Sequence, residues 1–157
     1  MNDIVSTPPA VPPAQEVDAG PWWPTVDVGT TRSLMRIGGT SISQDRLVDA
    51  IRFGVIDVAR QLTAWRVGME AEGFASLAEV TPAEQVDGKS EREWLFLRAV
   101  AMTAGAELAD RYPDLTATRE GADRAQVQMD SADDFRRSAT RAIRMLKGEP
   151  GISVELI

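Results

Sequence analysis

The sequence contains no cysteine and no histidine among its 157 residues. The lack of cysteine excludes disulfides and thiol nucleophiles, and the lack of histidine excludes imidazole acid–base chemistry and the usual zinc sites. Helical di-iron sites are excluded as well, because they need Glu-x-x-His pairs. Only carboxylate, lysine, tyrosine and hydroxyl chemistry remains. We therefore expect a protein that is not an enzyme and that holds no cofactor or metal.

Long apolar runs and positive charge are also scarce. No apolar stretch approaches the ~18 residues that would indicate a membrane span. No Lys or Arg precedes Arg32, so the charged start of a secretory signal is missing. These features predict a protein that stays in the cytoplasm where it is made and has no membrane partner. The net charge is −7, so tight nucleic-acid binding is disfavoured, although DNA could pass nearby without sticking.

The first 30 residues differ in composition from the rest of the chain. They contain four acidic residues, no basic residue and six of the nine prolines, namely Pro8, Pro9, Pro12, Pro13, Pro21 and Pro24. Because such a segment has little apolar surface to bury, it favours extended or irregular structure. We expect residues 1–30 to form an extended arm on a helical domain of residues 31–149. Trp22 and Trp23 are expected to dock into a partner's pocket, and the alternative is that they pack onto the chain's own helices.

Apolar spacing predicts a first long helix that begins after Ser43, a favoured N-cap residue. It runs to about Glu72, where Gly73 ends it. Its buried stripe recurs every three or four residues, as Leu47, Ile51, Val55, Val58, Leu62, Trp65 and Met69. One continuous helix of this length would be about 43 Å long and would span the body of the molecule.

Two further long helices are predicted. One begins at Ser90, where Ser90-Glu91-Arg92-Glu93 forms a capping box, and stops at Pro113, with Trp94, Leu97, Ala101, Gly105, Leu108 and Tyr112 buried. Small residues at Ala101, Ala104, Gly105 and Ala106 would let a neighbouring helix come close. The other runs from about Ala122 to Lys147 and buries Ala125, Met129, Ala132, Phe135, Ala139, Ile143 and Leu146. The predicted fold is all-α, a bundle of three long helices with short extra helical turns, one of them ended by Gly38-Gly39.

Residues 150–157 form a third region in which apolar and polar residues alternate. Ile152, Val154 and Leu156 fall on one face of an extended strand, and Ile157 adds another apolar side chain. The helices supply no sheet for this strand, and an unpaired apolar strand needs a cover. We expect this C-terminal tail to bind another chain by adding a strand to it. A partner protein, a neighbouring subunit and the chain's own body all remain open as its binding surface.

Three motifs suggest chemistry but have simpler explanations. Gly88-Lys89-Ser90 resembles the end of a phosphate-binding P-loop, but the glycine required five residues earlier is Ala83. Asp133 and Asp134 would point about 100° apart on a helix and could not clasp one ion. The third predicted helix also carries a stripe of arginines. We expect this stripe to contact a neighbouring subunit rather than nucleic acid, and its members are Arg136, Arg137, Arg141 and Arg144.

Eight short motifs follow one another between residues 22 and 157. They are Trp22-Trp23-Pro24 with Val26-Asp27, Met35-Arg36-Ile37, Arg46-Leu47-Val48-Asp49-Ala50-Ile51, Gly73-Phe74-Ala75-Ser76-Leu77-Ala78-Glu79-Val80, Val86-Asp87-Gly88-Lys89-Ser90, Arg98-Ala99-Val100, Ala109-Asp110-Arg111-Tyr112 and Val154-Glu155-Leu156-Ile157. In this order they resemble the head completion proteins of contractile-tailed phages, the gpL-type family. That family belongs with the helical head-to-tail adaptors of tailed phages.

The resemblance implies a structural protein of the virion that is made in the host cytoplasm. Members form a ring, dodecameric in the family, under the portal at the capsid vertex. They join the filled head to the neck and tail and help to retain packaged DNA. The implied partners are the portal, the downstream neck and tail proteins and further copies of the chain, with DNA passing through the lumen without specific binding.

Three alternatives predict different observations. A head-closure or tail-terminator protein would occupy another position in the neck and would be richer in β-structure. A small helical enzyme that uses carboxylates would carry a bound metal or nucleotide. A bacterial regulator or adaptor would share the helical pattern without the phage role.

Overall fold

The computed structural model describes residues 15–36, 42–80, 84–112 and 130–149, and it is mainly helical. The helices are α1 (Val28–Leu34), α2 (Gln44–Gln61), α3 (Thr63–Ala71), α4 (Glu91–Arg111) and α5 (Ala132–Lys147). Two antiparallel ribbons pair β1 (Glu16–Val17) with β2 (Val26–Asp27), and β3 (Gln85–Val86) with β4 (Lys89–Ser90). A 3₁₀ turn covers Leu77–Glu79. The prediction of a mainly α-helical class is confirmed.

Helix α4 is the central element, since both α2 and α5 pack along it. Helix α5 runs antiparallel to α4. The guanidinium of Arg92, at the start of α4, donates to the carbonyl of Leu146, near the end of α5. At the other end, Asp110 of α4 pairs with Arg136 of α5.

Close contacts between the helices depend on two glycines. A Cβ on Gly105 of α4 would lie 2.8 Å from Cε1 of Phe135, and a Cβ on Gly54 of α2 would lie 2.9 Å from the carbonyl oxygen of Val100. Real Cβ atoms do not come so close, so only glycine allows these approaches. The prediction that small residues near position 105 admit a neighbouring helix is confirmed.

The first predicted long helix is interrupted at Leu62, so the expectation of one continuous helix to Glu72 is wrong. Its start is as predicted, because Ser43 caps α2 by accepting a hydrogen bond from the amide of Arg46. Neither proline nor glycine lies at the break. Instead the hydroxyl of Thr63 donates to the carbonyl of Ala59, 3.1 Å away, a side-chain bond that competes with the helix ladder and bends helices.

The second predicted helix begins as expected, but its buried face differs. The capping box of Ser90 and Glu93 is present in both directions. However, Trp94 and Leu97 are only partly buried, whereas Phe96 is fully buried. The reason is that α4 is covered from more than one side, so a single apolar stripe does not describe its burial.

The third predicted helix starts later than expected. Ser131 caps α5 by accepting from the amide of Asp134, and Asp130 is not helical. A continuous helix from Ala122 is therefore wrong. The predicted buried residues from Phe135 to Leu146 are confirmed, and Gly148, at a φ of 74°, ends the helix. Ala132 is only half-buried, and the predicted positions Ala125 and Met129 lie outside the described residues, as does Pro113.

The N-terminal region is folded onto the body from residue 15 onward, so the predicted domain boundary at residue 30 is wrong. Val17 pairs with Val26 across the first ribbon, and both are buried. Asp27 caps α1, and this helix covers Val28–Leu34. Residues 1–14 and Gly38-Gly39 lie outside the described ranges.

Candidate functional site

Trp22 and Trp23 are core residues of this chain. They are 3% and 7% exposed, and their rings meet edge to face at 6.2 Å. The ring of Trp23 also stacks on Phe96 of α4, with centroids 4.6 Å apart and planes 5° from parallel. The hypothesis that both rings are anchors for a partner is therefore wrong, because neither ring is available at the surface.

Trp22 also connects the N-terminal region to the loop around Leu77 by a backbone hydrogen bond. Its carbonyl accepts a hydrogen bond from the amide of Leu77, at 2.9 Å, and Leu77 is fully buried. The guanidinium of Arg66 lies 5.2 Å from the centre of the Trp22 ring, in a cation–π arrangement. The indole Nε1 of Trp22 has no hydrogen-bond partner among the described residues. A signal for this burial was present in the sequence, since Val17, Val26 and Val28 surround the tryptophans with further apolar residues.

The predicted arginine stripe lies on the exposed side of α5. Arg136 pairs with Asp110 of α4 and with Asp133, Arg137 pairs with Asp134, and Arg144 lies 3.5 Å from Glu149. Arg141 has no ion-pair partner in the described part of the chain. The pKa of Asp134 is lowered, first by the hydroxyl of Ser131 and then by Arg137. Three of the four arginines therefore have partners inside the subunit, and a subunit contact through Arg136, Arg137, Arg141 and Arg144 stays a prediction.

The Gly88-Lys89-Ser90 motif belongs to a tight hairpin rather than a phosphate loop. Asp87 and Gly88 both have positive φ, at 50° and 76°, as in the turn type that Asp-Gly favours between paired strands. Lys89 lies over the ring of Trp94 at 5.5 Å, and Trp94 donates from Nε1 to the carbonyl of Val86. Ser90 caps α4. Each residue of the motif therefore has a structural role.

A surface that the sequence reasoning missed lies between α2 and α4. Phe53 and Ile56 are each 53% exposed, and they line a shallow groove together with Asp57, Arg60, Thr103, Glu107 and Arg111. The signal was available, because Phe53 and Ile56 fall outside the buried stripe of α2. Apolar residues on the outer face of a helix often mark an interaction surface.

Neither a metal centre nor a membrane helix is found in the described ranges. No group of three or more acidic side chains there could hold a metal ion. None of the helices that the structure describes is long and apolar enough to cross a membrane. The predicted tail residues Ile152, Val154, Leu156 and Ile157 lie outside the described residues, so their partner binding stays a prediction.

Comparison with known proteins connects these features to one family. A family model for the phage head completion protein (GPL) matches residues 17–157. The chain belongs to the phage head completion protein family. The head completion/stabilization protein of Escherichia phage P2 is 31% identical over 136 residues, which cover 87% of this chain and 79% of that protein. No solved structure matches the chain.

Family membership confirms the resemblance carried by the eight motifs. The head completion family is a family of structural phage proteins rather than enzymes, and its members are components of the virion. The match begins at Val17, the first buried residue of β1. The Trp22-Trp23 pair therefore lies within the family region and belongs to its folded core.

Proposed function

We propose that this head completion protein forms a ring, dodecameric as the resemblance implies, beneath the portal of the capsid. The ring joins the DNA-filled head to the neck and tail and helps to retain the packaged DNA. The observation that carries the proposal is the family match over residues 17–157, because it covers the folded body and the tail together. Around the portal, each subunit contacts the portal, downstream neck or tail proteins and its two neighbours.

The subunit has surfaces suited to this assembly. The outer faces of α2 and α5 are distinct, because the two helices pack on different residues of α4. A ring needs two different surfaces that fit each other, a heterologous contact that closes. The subunit also has an apolar core of its own, which includes residues of α4 and the Trp23–Phe96 stack.

The charge of the chain supports passage of DNA without tight binding. Each subunit carries a net charge of −7, so a ring of many subunits is strongly acidic. We propose that acidic side chains outnumber basic ones on the wall of the lumen, which lets DNA slide because the wall repels phosphate. A channel lined by arginines in contact with phosphates would contradict this part of the proposal.

Binding to the portal provides the direct test. The purified protein, alone and mixed with purified portal, is examined by light scattering and electron microscopy. We expect the isolated protein to be monomeric or weakly associated and to form a ring on the portal. In infected cells, loss of the protein should leave filled heads that lose DNA and do not join tails. Failure to bind the portal would overturn the proposal, whereas a stable ring formed alone would contradict only assembly on the portal as a template.

A further inference from the structure

Phe53 is the only exposed aromatic residue in the part of the chain that the structure describes. The other aromatic side chains there are buried or half-buried. Four of them lie under a cation of the same chain: Trp22 under Arg66, Trp65 under Arg92, Trp94 under Lys89 and Tyr112 under Arg46. Phe53 has no such cover. An exposed ring of this kind has apolar area and a negatively polarised face available to a partner.

The surroundings of Phe53 have the composition of a protein interface. Ile56 lies beside it on α2, and both are about half exposed. The charged side chains that line the same groove are Asp57, Arg60, Glu107 and Arg111. An apolar centre with a polar rim is typical of surfaces that bind another protein.

Helix α5 has the largest excess of basic residues among the described helices. It contains five basic residues and two acidic ones in a chain whose net charge is −7, the basic residues being Arg136, Arg137, Arg141, Arg144 and Lys147. Arg141 is exposed and forms no ion pair with the residues described. Met145 lies on the same helix and is 50% exposed. A basic stripe in an otherwise acidic chain is attracted to the surface of another copy of that chain.

We propose that the groove around Phe53 in one subunit binds the exposed face of α5 in the next subunit. This contact rests on the proposed ring and identifies its subunit interface. Arg141 of one copy covers the ring of Phe53 in its neighbour by a cation–π contact, and Met145 packs against Ile56. Asp57 and Glu107 are the acidic residues of the rim and Arg60 and Arg111 its basic ones, so the apolar and cation–π contacts at its centre define the interface rather than a net charge of the rim. Because the groove and α5 are different surfaces, the contact is heterologous, as a closed ring requires.

The lack of cysteine makes site-specific crosslinking a sharp test. Phe53→Cys and Arg141→Cys are made singly and together, and portal-bound protein is treated with a short bismaleimide. In a heterologous contact the double variant should give a ladder of covalent oligomers, whereas each single variant should give none. As a matched control, Val67→Cys replaces Phe53→Cys, because Val67 is a similarly exposed apolar residue on α3. Its combination with Arg141→Cys should not give a ladder.

Substitutions test the same contact without crosslinking. Phe53→Ala and Arg141→Glu should each weaken association between subunits by about tenfold, the order expected for a desolvated cation–π contact. Both residues are exposed, so the melting temperature should stay that of the wild type. Arg98→Glu, at an exposed arginine of α4 outside both surfaces, should leave association unchanged.

The outcomes separate this inference from the proposed function. Wild-type protein that forms a ring on the portal, with no ladder from the double cysteine variant, would overturn only the subunit interface. Dimers from Phe53→Cys alone would overturn it as well, since they indicate a symmetric contact between identical surfaces. Wild-type protein that does not assemble on the portal would overturn the ring and the interface together.

Discussion

The ring of Phe135 on α5 occupies the space into which any side chain at Gly105 of α4 would project. A Cβ built on Gly105 would lie 2.8 Å from Cε1 of Phe135 and 2.9 Å from Cδ1. Phe135 is fully buried and one of the largest side chains of the core. The close approach of α4 and α5 therefore depends on the absence of one methyl group.

Gly105→Ala should therefore lower stability. Overpacking a well-filled core costs about 1–3 kcal/mol, which outweighs the gain of up to about 1 kcal/mol that alanine brings to a helix interior. The free energy of unfolding, measured by urea titration, checks this. The matched control is Gly68→Ala in α3, where a Cβ would meet nothing within 4 Å. It should stabilise the protein slightly, and equal effects at both positions would contradict the packing argument.

Trp23→Ala should destabilise the isolated protein by about 3–5 kcal/mol, the usual cost of deleting a large buried aromatic ring. The ring stacks on Phe96 and is 7% exposed, so its loss leaves a cavity beside α4. Thermal unfolding measures the effect. Trp94→Ala is the control, because Trp94 is only half-buried, and its loss should cost less. A Trp23→Ala protein that melts like the wild type but fails in head completion would restore the idea of a partner anchor.

The stability of the protein should fall in acid partly through Asp27. Hydrogen bonds from the backbone amide and then the hydroxyl of Thr30 hold the pKa of Asp27 below its ordinary value, against a smaller opposing effect of burial. A depressed pKa in the folded state means that this stabilisation is present above the pKa of the unfolded state, about 3.9. This stabilisation is lost as the pH falls through the pKa of Asp27 in the folded state.

Asp27→Asn isolates this contribution, because asparagine also caps helices well but does not titrate. Carboxyl groups titrate between about pH 5 and pH 3. Over this interval the melting temperature should fall less in the variant than in the wild type. Glu84→Gln removes one carboxylate at an exposed position and serves as the control. Acid unfolding that is identical in wild type and Asp27→Asn would show that this cap does not contribute.

Deletion of residues 152–157 should leave helix content and melting temperature nearly unchanged while abolishing head–tail joining. Full burial of each of the four apolar side chains of the tail would contribute about 1.5–3 kcal/mol to the free energy of binding, before the cost of ordering the segment. Repeated around a ring, a modest gain per subunit becomes firm attachment. Circular dichroism and tail joining in vitro check the two halves of the prediction. A deletion that unfolds the isolated protein would place the tail in the core instead.

Features that depend on neighbours in the sequence could be predicted from the sequence. The caps at Ser43 and Ser90 and the glycine after α3 were recognisable, because each cap is a hydrogen bond that spans only a few residues. The order of short motifs identified the family for a similar reason, since no tertiary contact is needed to recognise them. The mainly helical class followed from apolar spacing.

Only the tertiary structure decided what those elements bury. The sequence by itself established the family, the helical class and the starts of α2 and α4. It did not determine that Trp23 stacks on Phe96, that α4 is covered from several sides, or that Phe53 remains exposed. Each of these depends on which distant segments pack together. Burial is a property of contacts between residues far apart in the chain, whereas a helix cap is a property of residues three positions apart.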